Sequence, residues 1–505
     1  MRLAFFVVLA MVLAAHSSPA VEVPLQLVFE KEHQVRNFFN LSIPLDRLSL
    51  SNTAQLKPIH HTNPGCTLGG GDGKRVTLGN ETDSVQETFV RVGKVYPYSA
   101  IDVDVAMQKR TTYSANAIIA LYKDRGNWIG VVYRAAGAGK KSITVEVFKG
   151  GRSVMSEGLR DAGYTPPYTL RVHLGGRYLS VFGVKGEKWD FLKTVDIGRH
   201  FDLRSTSLCK DFAVCVGARL KQGEVVGFSR AEQYLTCGTG QADPKVLHYE
   251  NGEPIAKDDT IWIAMTTRGY DPIPASHQGL YRYNIKTHEW ALVGDMTFDQ
   301  GDGVLRGWHA TDIFYDRQDK KWKVLTVSHG DDHRIYGGVC EKDPREGRSV
   351  IEVKRCQYPS VGNEEDPSIV FDEEAKKWRM AICQNKRGYQ TVLLESDRWN
   401  GEWKEIARYT ATSSTGLLIQ KVEGKRYVFL GRGEANYEVL SYPDLRLLGK
   451  LNVPEIVTSR NVWPVIIPFT QGTRTHYYML TFDRRRITGK YSYGDLYWYS
   501  AKRAP

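Results

Sequence analysis

The chain has 505 residues, 42% of them hydrophobic and 25% charged, a globular composition long enough for two or three domains with sizeable cores. Its formal charge of +11 is spread without a basic tail, which argues against nucleic acid as a partner. That balance fits an acidic polymer or a glycan, and seven cysteines lacking any C-x-x-C pair or metal-ligand spacing argue against a zinc or redox-dithiol role.

Residues 1–20, "MRLAFFVVLAMVLAAHSSPA", read as a cleavable secretory signal: one basic residue, an apolar run of about a dozen, then small residues. The run is too short for a membrane span, and no other segment reaches the roughly 20 apolar residues a span requires. The expected location is therefore secreted or periplasmic. Cys209, Cys215 and Cys237, and Cys340 with Cys356, are the groups within which bridges are plausible in an exported chain, with buried free thiols as the alternative. Asn40 and Asn80 stand in N-x-Ser/Thr sequons.

After a lead-in over 21–83, residues 84–235 carry alternating apolar runs joined by tight turns, among them "AIDVDVAM", "NWIGVVYR", "SITVEVFKGG" and "FAVCVGARL". Helical periodicity is scarce, so the fold class is all-β, and this part is expected to be a jelly-roll β-sandwich. It resembles the concanavalin-like sandwiches that accompany many polysaccharide-degrading enzymes.

From 238 to 505 five related units follow: "ADPKVLHYENGEPIAKDDTIWIAMTTRGY", "HATDIFYDRQDKKWKVLTVSHGDDHR", "EDPSIVFDEEAKKWRMAICQNKRGY", "STGLLIQKVEGKRYVFLGRGEANYEVL" and "VWPVIIPFTQGTRTHYYMLTFDRRR". Repeats at a spacing of roughly fifty to seventy residues in an all-β segment predict a five-bladed β-propeller. The first apolar run of each unit is then an innermost strand. Residues just before it and in the loop after the second run converge on one face, forming a funnel.

Three units place an aspartate at that mouth: Asp243, Asp312 and Asp366. Each alone is most simply a turn cap before or near proline. Converging, they supply what glycosidic cleavage needs, a base or nucleophile and an acid whose pKa is raised by a like charge. In "EEDPS", Glu364 is expected to face solvent at the rim, Asp366 to belong to the site, and Glu365 stays open.

In the order "ADP", "WHATDIFY", "EDPSIVFD", the units look like those of the five-bladed glycoside hydrolases of family 43 and its relatives in families 32, 62 and 117. The resemblance covers about half the chain. It implies that Asp243 is the general base, that Asp366 orients the acid and raises its pKa, and that Asp312 is a second-blade rim residue. The chain departs from the pattern in the fourth unit, where the family's acidic Glu lines up with Thr415. Glu434, His309, His333 and Glu365 are the alternative proton donors, and Glu434 is preferred because it lies in the same unit's return loop.

Each return loop also holds arginine: Arg268, Arg334, Arg387, Arg432 and Arg484 to Arg486. A crown of guanidinium groups suits a substrate bearing carboxylate or sulfate. Trp308, Trp463, Tyr270 and Tyr389 are placed to stack on sugar rings or to fill the spaces between blades. "SHGDDHR" offers His329, Asp331, Asp332 and His333 to a cation, but the spacing matches no metal motif, and no cofactor is expected beyond a structural cation near the axis. The expected function is an exported glycoside hydrolase, exo-acting or debranching, on an acidic or furanose-containing glycan. The alternatives are a non-catalytic glycan-binding propeller and a uronic-acid lyase.

Overall fold

The computed structural model describes residues 25–51, 56–62, 66–70, 73–109, 115–134, 142–159, 163–186, 188–269, 275–432, 436–454, 463–483 and 493–503. The expected signal over 1–20, Tyr270, Glu434, Arg484 to Arg486 and the side chains of Arg432 and Cys66 lie outside the described residues. Among the described residues no helix is long and apolar enough to cross a membrane.

The first half is a β-sandwich. One sheet runs in the order Arg152–Gly158, Ser142–Lys149, Asn127–Arg134, Asn116–Asp124, Ala213–Leu220, Gln86–Lys94, Pro58–His61. The other runs Lys188–Asp196, Tyr178–Lys185, Tyr168–Gly175, Tyr98–Lys109, Val225–Thr236, Val76–Asn80, Cys66–Gly69, with Ser42–Arg47 added beside Val225–Thr236. Consecutive strands repeatedly change sheet, as Gln86–Lys94 to Tyr98–Lys109 and Ala213–Leu220 to Val225–Thr236, which is the jelly-roll habit. Inward residues of both sheets, such as Val103, Leu121, Val131, Val172 and Val216, form one core, as period-2 alternation requires.

The second half is a five-bladed propeller of four-stranded antiparallel blades. Blade 1 is Gly240–Val246, Thr260–Arg268, His277–Asn284 and Trp290–Asp299; blade 2 is His309–Asp316, Lys321–Val327, Ile335–Cys340 and Gly347–Arg355. Blade 3 is Glu364–Asp372, Lys377–Asn385, Tyr389–Ser396 and Lys404–Tyr409; blade 4 is Thr415–Val422, Lys425–Arg432, Asn436–Ser441 and Leu447–Lys450. Blade 5 takes Val465–Gln471, Arg474–Phe482 and Leu496–Arg503 from the end of the chain and its outer strand, Leu27–Val35, from the beginning. The five first strands contact one another in a closed ring, Gly240–Val246 touching both His309–Asp316 and Val465–Gln471.

The stretch 21–83 is thus no separate lead-in: its first strand completes the propeller and its later strands belong to the sandwich. The two halves meet on a shared apolar cluster that includes Tyr96, Tyr98, Leu235 and Cys237 from the sandwich side. Tyr98 donates to the Leu305 carbonyl at 3.0 Å, and Tyr96 donates to Asp295 Oδ2 at 2.8 Å. All six cysteines whose side chains are described, Cys209, Cys215, Cys237, Cys340, Cys356 and Cys383, are free thiols, so neither bridging group forms. Of the two sequons, Asn40 is exposed, whereas Asn80 is buried and spends its amide on the Ser84 and Leu220 carbonyls at 2.7 and 3.0 Å.

Candidate functional site at the propeller mouth

The innermost strands of blades 1 to 4 share one irregularity. In blade 1, Ala242 pairs with Thr266 and Lys245 with Ala264, so two residues on the inner strand face a single residue of its neighbour. The same shift lies between His309 and Asp312, between Glu365 and Ser368, and between Thr415 and Leu418. Each bulge places its first residue in the left-handed region: Asp243 at φ 53°, Ala310 at 50°, Asp366 at 59° and Gly416 at 73°. Aspartate tolerates this region better than most residues, and bulges re-aim side chains next to active sites.

These bulges define equivalent rungs across the blades. Ala242, His309, Glu365 and Thr415 stand on the first, Asp243, Ala310, Asp366 and Gly416 on the second, and Lys245, Asp312, Ser368 and Leu418 on the fourth. Asp312 therefore corrects the expectation of three aspartates at one level. Its true counterparts are Lys245 and Ser368, and blade 2 offers Ala310 where blades 1 and 3 offer Asp243 and Asp366. The sequence "HATD" carries its acid two positions later than "ADP" and "EDP", a spacing that alone distinguishes them.

Asp312 is a clasp inside the ring. It is buried, with Oδ1 3.0 Å from His248 Nε2 and Oδ2 accepting from the Ile369 amide of blade 3 at 2.8 Å. Ser368 repeats the device, accepting from Ile419 of blade 4 at 3.0 Å. Burial works against the charge on Asp312, but His248 and Lys245 outweigh it and hold the carboxyl below its usual range. For His248 burial is likewise outweighed by Asp312, so the imidazole is raised and favours its protonated form.

Asp243 and Asp366 are 8% and 5% exposed, buried but reaching the mouth. Asp366 Oδ2 accepts from the Gly416 amide at 2.7 Å, and glycine suits the left-handed backbone at that position. Burial, then the negative charges of Glu365 and Asp243, push the Asp366 carboxyl up to about 8, with Gly416 and Lys245 offsetting part of this. Lys245 is fully enclosed, donates to the Pro367 carbonyl, and is lowered by burial against the pull of Asp312, Asp366 and Asp243. Trp463 donates from Nε1 to the Pro244 carbonyl at 2.6 Å and so braces the first bulge instead of offering a sugar platform.

The other expected site residues are divided. Trp308 is buried, stacked on Phe298 and donating to Asp331 at 2.7 Å, which makes it a packing residue. His309 is buried against the Ser276 hydroxyl. His333 is half-buried, its Nδ1 2.9 Å from Asn363 Oδ1. Arg268 is buried, its guanidinium 5.1 Å from the Tyr493 ring, and Arg334 pairs with Glu364 at 3.2 Å. Of the expected crown, only Arg387 is both described and exposed. Glu364 does not face solvent: it is wholly buried and accepts from Arg334, Tyr358, Ser360 and the amides of Val361 and Gly362. Glu365 is the carboxylate that reaches the rim, receiving a hydrogen bond from Tyr389 at 2.7 Å.

No family model and no curated protein matches the chain. Among solved structures, the chain is similar over about half its length to family-43 glycoside hydrolases. A β-xylosidase is 13% identical over 53% of this chain and 93% of its own, with a TM-score of 0.38. A family-43 enzyme from Xanthomonas citri complexed with xylose is 15% identical over 52% and 87%, with a TM-score of 0.37. A legume lectin-like domain from Entamoeba histolytica is 10% identical over 35% of this chain and 88% of its own, with a TM-score of 0.26. At this distance the blade count rests on strand order alone.

Proposed function

We propose that the chain is a glycoside hydrolase whose active site is the mouth of the propeller. The observation that carries this reading is the pair Asp243 and Asp366: two carboxyls on left-handed bulge residues of alternate blades, both buried, and near enough that the charge of Asp243 raises the Asp366 carboxyl. Two carboxyls with different surroundings are the working parts of glycosidic cleavage. In this reading Asp243 is the base, Asp366 tunes and orients the acid, and Glu434 in the blade 4 return loop supplies the proton that Thr415 cannot. Exo or debranching action on an acidic or furanose-containing glycan outside the cytoplasm completes the proposal. Of the arginines that would favour an anionic substrate, Arg268 and Arg334 are engaged within the protein and Arg387 is exposed.

The test is product analysis on neutral and acidic polysaccharides with wild type, Asp243→Asn and Glu434→Gln. Sugar release that Asp243→Asn abolishes supports hydrolysis, and Glu434→Gln should then spare substrates with an activated aryl leaving group, which need no proton. Glycan binding without turnover would replace the proposal with the lectin reading, which Thr415 favours. An unsaturated uronide product would replace it with a lyase.

A further inference from the structure

The loop from Ser328 to Arg334 brings two histidines, four residues apart, onto a carboxylate of the next blade. One nitrogen each of His329 and His333 and one oxygen of Glu365 lie within 4.8 Å of one another. His329 Nε2 is 3.9 Å from Glu365 Oε1, and the two imidazoles meet edge to face with centroids 4.4 Å apart. Around a tetrahedral zinc ion, bonds of about 2.0–2.1 Å put neighbouring ligand atoms about 3.3–3.5 Å apart. From a spacing within 4.8 Å, the ligand atoms must draw together by about 1 Å to reach it.

Its surroundings fix the ligands as a metal site does. Asn363 Oδ1, 2.9 Å from His333 Nδ1, is an acceptor that suits the tautomer with Nδ1–H, the one in which Nε2 can ligate. Tyr389 holds Glu365 through its hydroxyl. The turn itself is tied by the amides of Asp331, His333 and Arg334, all bonded to Ser328 at 2.8 to 3.2 Å. The sequence points to Asp331 and Asp332 in this loop, but these serve Trp308 and the Ser328 and Tyr336 hydroxyls. The third ligand comes instead from the strand of blade 3, which no spacing within "SHGDDHR" reveals.

We infer that His329, His333 and Glu365 form a binding site for one divalent transition-metal ion of the zinc class at the funnel rim. Two imidazoles and one carboxylate suit zinc, cobalt or nickel, whereas calcium requires six to eight oxygens and magnesium an octahedral oxygen shell. Three protein ligands leave one position open to water or a substrate oxygen. Glu365 is then an ionised ligand and is removed from the proton donors, which agrees with the part proposed for Glu434.

The experiment is calorimetric titration of chelator-treated full-length protein with zinc chloride, repeated with cobalt(II) and read by visible absorption. One saturable ion per chain is expected, with the cobalt bands of a low-symmetry site. His329→Ala, His333→Gln and Glu365→Gln should each weaken binding at least about 10-fold, and Asn363→Ala, which keeps every ligand, by about 10-fold. Asp331→Asn should leave affinity unchanged. Absence of saturable binding by wild type overturns the inference, as does binding that survives the ligand substitutions. Asn363→Ala and Glu365→Gln keep it falsifiable if a histidine variant fails to fold, as judged by circular dichroism.

Discussion

Asp295→Asn probes the junction between the two halves. Asp295 is fully buried; its Oδ2 accepts from Tyr96, its Oδ1 has no hydrogen-bond partner among the described residues, and Arg348 lies 3.9 Å over the Tyr96 ring. Burial raises its carboxyl to about 7 against the opposing pull of Tyr96 and Arg348, from an ordinary value of 3.8. A carboxyl raised in the folded state favours folding fully below its unfolded pKa, and this contribution is lost as pH climbs through the folded pKa. At about 1.4 kcal/mol per unit the difference is worth at most about 4 kcal/mol between pH 4 and 8. Asparagine keeps the acceptor for Tyr96 and never ionises. The stability of the variant relative to wild type should therefore rise by roughly 2–4 kcal/mol across that range. With an unfolding entropy near 1 kcal/mol/K for a chain of this size, the gap in Tm should shift by about 2–4 °C in favour of the variant. Thermal unfolding of both proteins at several pH values reads it. A gap independent of pH, or one moving the other way, would refute the buried neutral carboxyl.

Asp312→Ala leaves the buried His248 ring and the Ile369 amide without their partner and should cost about 3–5 kcal/mol, seen as a lowered urea midpoint. Phe29→Ala, in the outer strand of blade 5, removes a fully buried ring and should cost about 3–5 kcal/mol, with faster proteolysis of that blade. In a glycosylating host, Asn40→Gln should remove a glycan mass. Asn80→Gln should change no mass but lower stability by about 1–3 kcal/mol through its two lost backbone contacts.

The blades were readable because each inner strand begins a recognisable unit, from "ADPKVLHY" to "VWPVIIPF", with an apolar run that is buried over most of its length in the ring. What escaped was depth. Asp312 and Asp366 look alike in sequence, yet both strands carry the same bulge and Asp312 stands two positions beyond the rung of Asp366, an offset whose meaning the cross-strand register supplies. Glu364 and Glu365 are adjacent and chemically almost equivalent, but the alternation of a strand buries one under Arg334 and turns the other to the rim. The role of Leu27–Val35 was hidden for another reason: its partner strand, Leu496–Arg503, is separated from it by nearly the whole chain, and no local pattern encodes such a pairing.

That pairing sets a timetable for synthesis. Leu27–Val35 leaves the ribosome first and finds its ladder only when Leu496–Arg503 has followed, so the ring stays unclosed while the sandwich and four blades are made. Closing so long a loop is slow, and until then an open edge and the apolar surface of Leu27 and Phe29 are available to other chains or to a chaperone. A fusion that stiffens either strand, or a nascent chain released a few dozen residues early, would leave a protein with every mouth carboxylate present and no completed ring to hold them.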